Sequence, residues 1–531
     1  MPIVQINQEF FNNDAQANFD SKTHIDMGID IKGLINRNNY LIEGIRGTGK
    51  THILKMIRQE VVEKFTEYRV LPIYVSLAKY SEYESLTSDE FRIHLYTSIV
   101  ENAITTIKDN KEVFKQGNPQ IIKALKEGLP IFPFFFNQSF DDIIESIDIL
   151  VKELNEGLFT GNIKMNSKDK VDGNSSVDMN PIKFGGTYSK EKQVEYVIDQ
   201  LSHKNASKYI LSFFKKLVNI LQLDYCLLLV DEISGVSKEK QIEVFRLLKL
   251  IRSCNEGQKD TNIMYFIGGV YPPSSTNYPS LVKGNEFEFK TGDDCTMKFL
   301  EIDILNEEYE EFFKYVTSKR LEKYHLKESN GDILWMFESE KAFLLAAFAA
   351  NGLPRRYFQI LDIAYSNAKS KFMQESAIKR IDIPSISSAI QHIAENEILD
   401  ENHLTEQDFE YLEEIIIPKL TTRNSTVETK NANNNSETLI HLFIKVSTND
   451  RNRLGNLIYR GVIHNLNRTR KSKYSKSSES NPIGKMLMID IAVSYYHRLY
   501  NVQNCVEYVQ KDLRENVKRG FQYFSEIKLN K

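Results

Sequence analysis

Short apolar runs alternate with stretches of helical periodicity through the first 300 residues. Asn38–Ile45 (NNYLIEGI) reads as a strand entering a glycine-rich turn, and Ile53, Leu54, Ile57, Val61 and Val62 follow at helical spacing within His52–Phe65. Val70–Leu77 reads as a second buried strand. Its Pro72 has no N–H to donate, which predicts a sheet edge or a strand start. Ala206–Leu221 predicts a helix. Tyr225–Val230 (YCLLLV) is apolar without a break, as a parallel strand covered on both faces must be. Lys238–Ser253 predicts a helix, Asn262–Val270 a buried strand and Met297–Ile304 the last strand of the sheet. Strands alternating with helices predict an α/β fold with a parallel sheet between helical layers.

The rest of the chain is mainly helical in pattern. Residues 88–205 read as a helical insertion, with an aromatic run at Phe132–Phe136 broken only by Pro133 and a polar loop at Gly161–Lys190. Asn306–Glu397 is helical throughout, and its apolar helix Ala342–Ala350 (AFLLAAFAA) ends at Asn351-Gly352. Glu401–Leu420 predicts a further helix, while the polar, Asn-rich Thr421–Glu437 predicts a mobile linker. Glu437–Val446 and Asp450–Arg460 read as two helices, with Thr448 as N-cap of the second. Gly461–Leu466 and Lys485–Ile489 read as two strands around a basic, Ser-rich tip, Asn467–Gly484. The expected domains are 1–304, 305–400 and 401–531.

Composition narrows the class. The 531 residues exceed one ordinary core, and 41% hydrophobic with 26% charged residues is globular. No apolar run reaches the ~20 residues of a membrane span. Met1–Gln8 lacks the basic start and apolar core of a secretory signal. Cys226, Cys254, Cys295 and Cys505 are scattered, which argues against a zinc knuckle or a disulfide framework and fits a reducing cytoplasm. The net charge of −4 hides an asymmetry: residues 451–531 hold 16 Lys+Arg against 6 Asp+Glu, a balance of +10 that leaves −14 for the body. A basic module on an acidic body calls for an anionic partner or a solvated face.

The sharpest chemistry is at Gly44-Ile45-Arg46-Gly47-Thr48-Gly49-Lys50-Thr51, a full G-x-x-x-x-G-K-[ST] between a strand and a helix. Its glycines let backbone N–H groups turn toward phosphate oxygens, and the following helix offers its N-terminus to the anion. Lys50 is expected on the β- and γ-phosphates and Thr51 on Mg²⁺. Asp231 ends an apolar strand, where a second carboxylate must hold the Mg²⁺ shell, and Glu232 beside it can orient the attacking water. An acidic pair there favours hydrolysis over a kinase, which must keep water from its γ-phosphate.

Three segments resemble the AAA+ ATPases, specifically the bacterial branch similar to origin-recognition-complex ATPases and the neighbouring STAND NTPases: GIRGTGKT at Gly44–Thr51, LLLVDE at Leu227–Glu232 and NGLPRR at Asn351–Arg356. The likeness runs roughly over Asn7–Gln391 apart from the insertion. It implies an αβα core, a helical lid, and Arg355 as a sensor-2 arginine reaching the γ-phosphate, with Arg356 as the alternative. It also implies a polar sensor-1 residue after Asn262–Val270, where only Tyr271 or Ser274 are candidates. The trans-acting finger of AAA+ rings has no counterpart, since no arginine stands between Arg252 and Arg320. Lys283 and Lys290 lie there, but a lysine lacks the planar fork.

Helix, turn, helix and a strand pair with a basic tip resemble a winged-helix domain. That likeness places Arg451 and Arg453 on a recognition helix and Arg468, Arg470, Lys471, Lys473 and Lys476 on the wing against DNA phosphates. The same module could instead only pack against the ATPase core or a partner. The expected function is ATP hydrolysis with Mg²⁺, coupled to double-stranded DNA binding or to assembly with a protein partner or a homo-oligomer. Relatives in phage-defence and mobile-element loci carry the expectation of a defence role. The alternative is a STAND-like switch that controls a separate effector without DNA.

Overall fold

The computed structural model describes residues 10–11, 29–78, 85–116, 147, 149–152, 154, 200–254, 263–273, 275–300, 302–323, 333–372, 380–434, 439–471 and 483–529. The aromatic run at Phe132–Phe136 and the polar loop at Gly161–Lys190 lie outside them.

Five strands form one parallel sheet: β1 (Tyr40–Glu43), β2 (Val70–Ser76), β3 (Tyr225–Asp231), β4 (Met264–Val270) and β5 (Thr296–Phe299), in the order β2-β3-β4-β1-β5. Four helices cover it: α1 (Lys50–Glu63), α2 (Ser88–Asp109), α3 (Gln200–Leu221) and α4 (Lys238–Cys254). The period of two along β3 sorts its side chains between two cores. Tyr225, Leu227 and Leu229 join Ile53, Leu54, Ile57 and Val61 of α1 on one face. Cys226, Leu228 and Val230 join Phe91 and Tyr96 of α2, Phe213 and Phe214 of α3, and Phe245 of α4 on the other. The result is the three-layer α/β core expected from the sequence. Pro72 falls on β2, which is an edge strand, so its missing N–H costs no ladder bond on the open side. Helix α2 was expected within the insertion, but it packs into this core.

Beyond β5 come α5 (Tyr309–Lys323), α6 (Glu340–Ala349), α7 (Pro354–Phe372) and α8 (Ile383–Ile393), the helical lid. Helix α6 is apolar on every side, as a helix enclosed by others must be: eight of its residues, from Ala342 to Ala349, are buried. Of the Asn-rich stretch expected to be mobile, residues 421–434 are instead helical within α9 (Ile417–Asn434), and residues 435–437 lie outside the described residues.

The C-terminal segment departs further from expectation. Phe443–Val446, read as the end of a helix, is strand β6. It pairs antiparallel with β8 (Ile483–Ile489) and parallel with the two-residue β9 (Ser525–Glu526), while β8 also pairs with β7 (Ile463–Lys471). The single helix expected over Asp450–Arg460 is two short ones, α10 (Thr448–Arg453) and α11 (Gly455–Tyr459). The N-cap of α10 is Ser447, whose hydroxyl accepts from the Asp450 N–H, not Thr448. Then comes α12 (Ile491–Tyr496). One continuous apolar core joins these elements to the lid, and it also takes in Phe10 and Phe11. Among the described residues no helix is long and apolar enough to cross a membrane.

Candidate nucleotide site

Strand β1 carries the chain into Gly44–Thr51, and α1 begins at Lys50. Gly47 and Gly49 hold φ of 91° and 97°, conformations that L side chains avoid. Thr48 closes the loop on itself, donating its hydroxyl to the Ile45 carbonyl at 2.9 Å. Lys50 Nζ donates to the Gly44 and Ile45 carbonyls at 2.5 and 2.9 Å. Burial lowers its pKa to about 8, against the opposing pull of Asp231 and Glu232, with Arg355 pushing it further down. A buried, reluctantly charged ammonium at the start of a helix suits an anionic ligand. Glu43, at the end of β1, is pushed up to about 7 by burial, although Arg451 and Lys50 both favour its charge.

Asp231 leaves the end of β3 fully buried. The Tyr74 hydroxyl donates to one carboxylate oxygen at 2.8 Å, and the Glu232 N–H to the other at 3.0 Å. Tyr74 has no motif to mark it; only the pairing of β2 with β3 brings it there. Gly269 of β4 makes room beside this carboxylate: a Cβ there would stand 3.2 Å from Asp231 Oδ1 and 3.8 Å from the Lys50 Cβ. Gly268 before it is needed for a different reason, since a Cβ there would stand 2.7 Å from both Ile233 Cδ1 and Leu41 Cδ2. Glu232 itself has φ 60°, a strained value for a non-glycine residue, of the kind that gathers at functional sites.

Of the two sensor-1 candidates, Tyr271 lies at the site and Ser274 is outside the described residues. The Tyr271 hydroxyl donates to Glu232 Oε2 at 3.3 Å, its N–H donates to the Ser234 hydroxyl, and Lys50 Nζ stands 4.3 Å from its ring centroid. Burial and the nearby Glu232 carboxylate push its phenol well above the usual range, so it stays neutral and remains a hydrogen-bond donor to Glu232 at any ordinary pH.

Adjacent arginines of the lid have separate fates. Arg355 lies against the P-loop, with its Cβ 3.3 Å and its Cδ 3.7 Å from where a Gly47 Cβ would be, and its charge is felt by Lys50. Arg356 turns the other way and is buried in an ion pair with Asp490. Asp490 also meets His464 Nε2 at 2.8 Å and caps α12 through the N–H groups of Ala492 and Val493. It is held below the usual carboxylate range, because Arg356 and His464 outweigh the cost of its burial. This network was not foreseen from the sequence, where Asp490 carries no signal.

The residues expected to meet DNA divide in the same way. Arg453 is engaged inside its own module: it donates to the Leu529 carbonyl at 3.0 Å and lies over the Tyr411 ring. Arg451 lies within electrostatic reach of Glu43, and its Nε is buried. Arg468, Arg470 and Lys471 fall on β7, in the register Arg468↔Met486 to Lys471↔Ile483, and Lys473 lies outside the described residues. The C-terminal module thus comes up against the nucleotide site. Tyr459 meets the Tyr271 ring edge-on at 5.2 Å, and a Cβ on Gly461 would stand 3.3 Å from Ile45 Cδ1 of the P-loop.

Neither a protein-family model nor a curated protein matches this sequence. Among solved structures, the chain is similar to the Aeropyrum pernix ORC2 protein in its ADPNP–ADP complexes, with 11% identity, a TM-score of 0.36, and 96% of this chain and 99% of that chain covered. It is also similar to the Aeropyrum pernix ORC1 protein in complex with DNA, with 12% identity, a TM-score of 0.32, and coverage of 88% and 91%. Likenesses this distant carry no functional argument, which rests on the site's own geometry.

Proposed function

We propose that this chain binds Mg·ATP at Gly44–Thr51, hydrolyses it, and uses its nucleotide state to govern DNA binding or partner assembly. The observation that carries the reading is the buried Lys50 at the head of α1, electrostatically coupled to Asp231, Glu232 and Arg355. In this reading the loop N–H groups and Lys50 bind the phosphates, and Thr51 and Asp231 would hold Mg²⁺, which would screen the phosphate charge. The donor set fits: one hydroxyl and one buried carboxylate are oxygen ligands of the kind Mg²⁺ takes, with waters and phosphates completing its shell. Glu232 orients the attacking water, and Arg355 steadies charge developing on the γ-phosphate.

Lys50→Ala is expected to abolish ATP binding in a fluorescent-nucleotide titration. Glu232→Gln is expected to keep binding while turnover falls roughly 10²-fold or more. Normal turnover in the Glu232 variant would remove that residue from the mechanism. For DNA, the wing is the remaining candidate. Neutralising Arg468, Arg470, Lys471 and Lys473 together should weaken duplex binding and flatten its salt dependence; unchanged affinity would end the DNA reading. The STAND-like alternative is favoured by the docking of Tyr459 and Gly461 at the nucleotide site. It expects particle mass to change with ATP in the absence of DNA. A defence setting is part of the same proposal, and a plaque assay in which Lys50→Ala protects as well as the wild type would remove it.

A further inference from the structure

Four arginines close to the P-loop are held in no ion pair. Among the described residues Arg46, Arg355, Arg451 and Arg460 make neither an ion pair nor a side-chain hydrogen bond. Arg46 and Arg355 belong to the P-loop and the lid. Arg451 and Arg460 come from the C-terminal module, and in both the Nε is buried with nothing to donate to. A desolvated, unbonded guanidinium N–H is costly, and an acceptor arriving with a ligand would satisfy it.

Arg460 stands between the two contacts that bring the module to the site. Tyr459 before it meets Tyr271, which in turn reaches Glu232 and lies beneath Lys50. Gly461 after it packs on Ile45 of the P-loop. The guanidinium rests 5.2 Å from the Tyr459 ring centroid, a cation–π contact that orients it without neutralising it.

We infer that Arg460 supplies, from the same chain, the cation that meets the outer phosphates of the bound nucleotide, so that the C-terminal module completes the ATPase site in cis. This rests on the ATP reading above.

The test uses the full chain with ATP and ADP as probes. Arg460→Ala should lower kcat by about 10²–10³-fold and raise KM for ATP by about tenfold, as loss of a charge-stabilising arginine on the outer phosphate does. Arg460→Lys should recover only a small part, because the planar fork is lost. Arg460→Ala should also reduce the preference for ATP over ADP in binding, by about tenfold if a charged hydrogen bond to the outer phosphate is removed. Turnover per chain should not depend on protein concentration, and mixing Arg460→Ala with Glu232→Gln chains should restore nothing. Rescue on mixing would mean that the arginine acts in trans, and would overturn the inference. So would wild-type kcat and wild-type ATP preference in Arg460→Ala. Should the wild type bind neither nucleotide, the ATP reading fails and this one with it. Should it bind both and Arg460→Ala be indistinguishable from it, this inference alone fails.

Discussion

Arg355 and Arg356 are neighbours in sequence with opposite roles. Arg356 is sealed against Asp490, and removing one partner of a buried pair strands the other's charge. Arg356→Ala is therefore expected to cost about 3–5 kcal/mol in a urea titration. Arg355→Ala leaves no orphan, so its stability should stay within about 0.5 kcal/mol of wild type while its steady-state ATPase rate falls. Equal losses of stability would mean that both arginines are structural. Lys50 gives a pH dependence. Its pKa of about 8 lies below the ordinary 10.5, so above about pH 8 it loses the charge that attracts phosphate. Nucleotide affinity should fall as pH rises through that value, in titrations run at fixed ionic strength. The sign for folding is opposite. Between about 8 and 10.5 the unfolded chain binds the proton and the folded chain does not, so Lys50 contributes stability that grows with pH across that window. Lys50→Met should shift this rise away.

At the scale of elements, α9 shows how a polar stretch can be held. Asn424 is fully buried, donates to the carbonyls of His441 and Leu499, and accepts from the His441 N–H. Asn424→Ala would leave three buried backbone groups unpaired, at about 1–3 kcal/mol each. The variant should lose several kcal/mol and lose hydrogen-exchange protection at residues 439–446 first. The same element shows why part of the fold was unreadable. A helix that buries little more than Leu420, Asn424 and Val427 has almost no apolar stripe, so composition alone suggests a linker. Phe443–Val446 was misread for a related reason: four residues cannot separate a period of 2 from one of 3.6, and its partners β8 and β9 lie about 40 and 80 residues away. The core sheet was legible because runs such as YCLLLV are long enough to require burial on both faces. The phosphate loop and Asp231-Glu232 were legible because their chemistry lies within a few consecutive residues. Tyr74 and Asp490 act through distant partners, and nothing local marks them, while Tyr271 was reached only as one of two candidates.

At the scale of the molecule, the division expected at residue 400 is crossed by packing. Lid and C-terminal segment share one apolar core, joined also by Arg514–Glu310, Lys341–Glu507 and the Tyr495–Ser387 hydrogen bond. They should unfold together. Removing residues 435–531 should expose the lid's core and abolish a cooperative melt for α5–α8, as followed by hydrogen exchange. Phe10 and Phe11 sit in this same core, packed on Phe358 and Tyr365, with the Phe10 carbonyl accepting from Arg320 at 2.9 Å. The polypeptide therefore passes between the two bodies twice, once after Phe11 and again after β5. Any movement of the lid against the sheet must therefore carry Phe10 and Phe11 with it, so a probe at Phe11 should report the same displacement as one at Arg355.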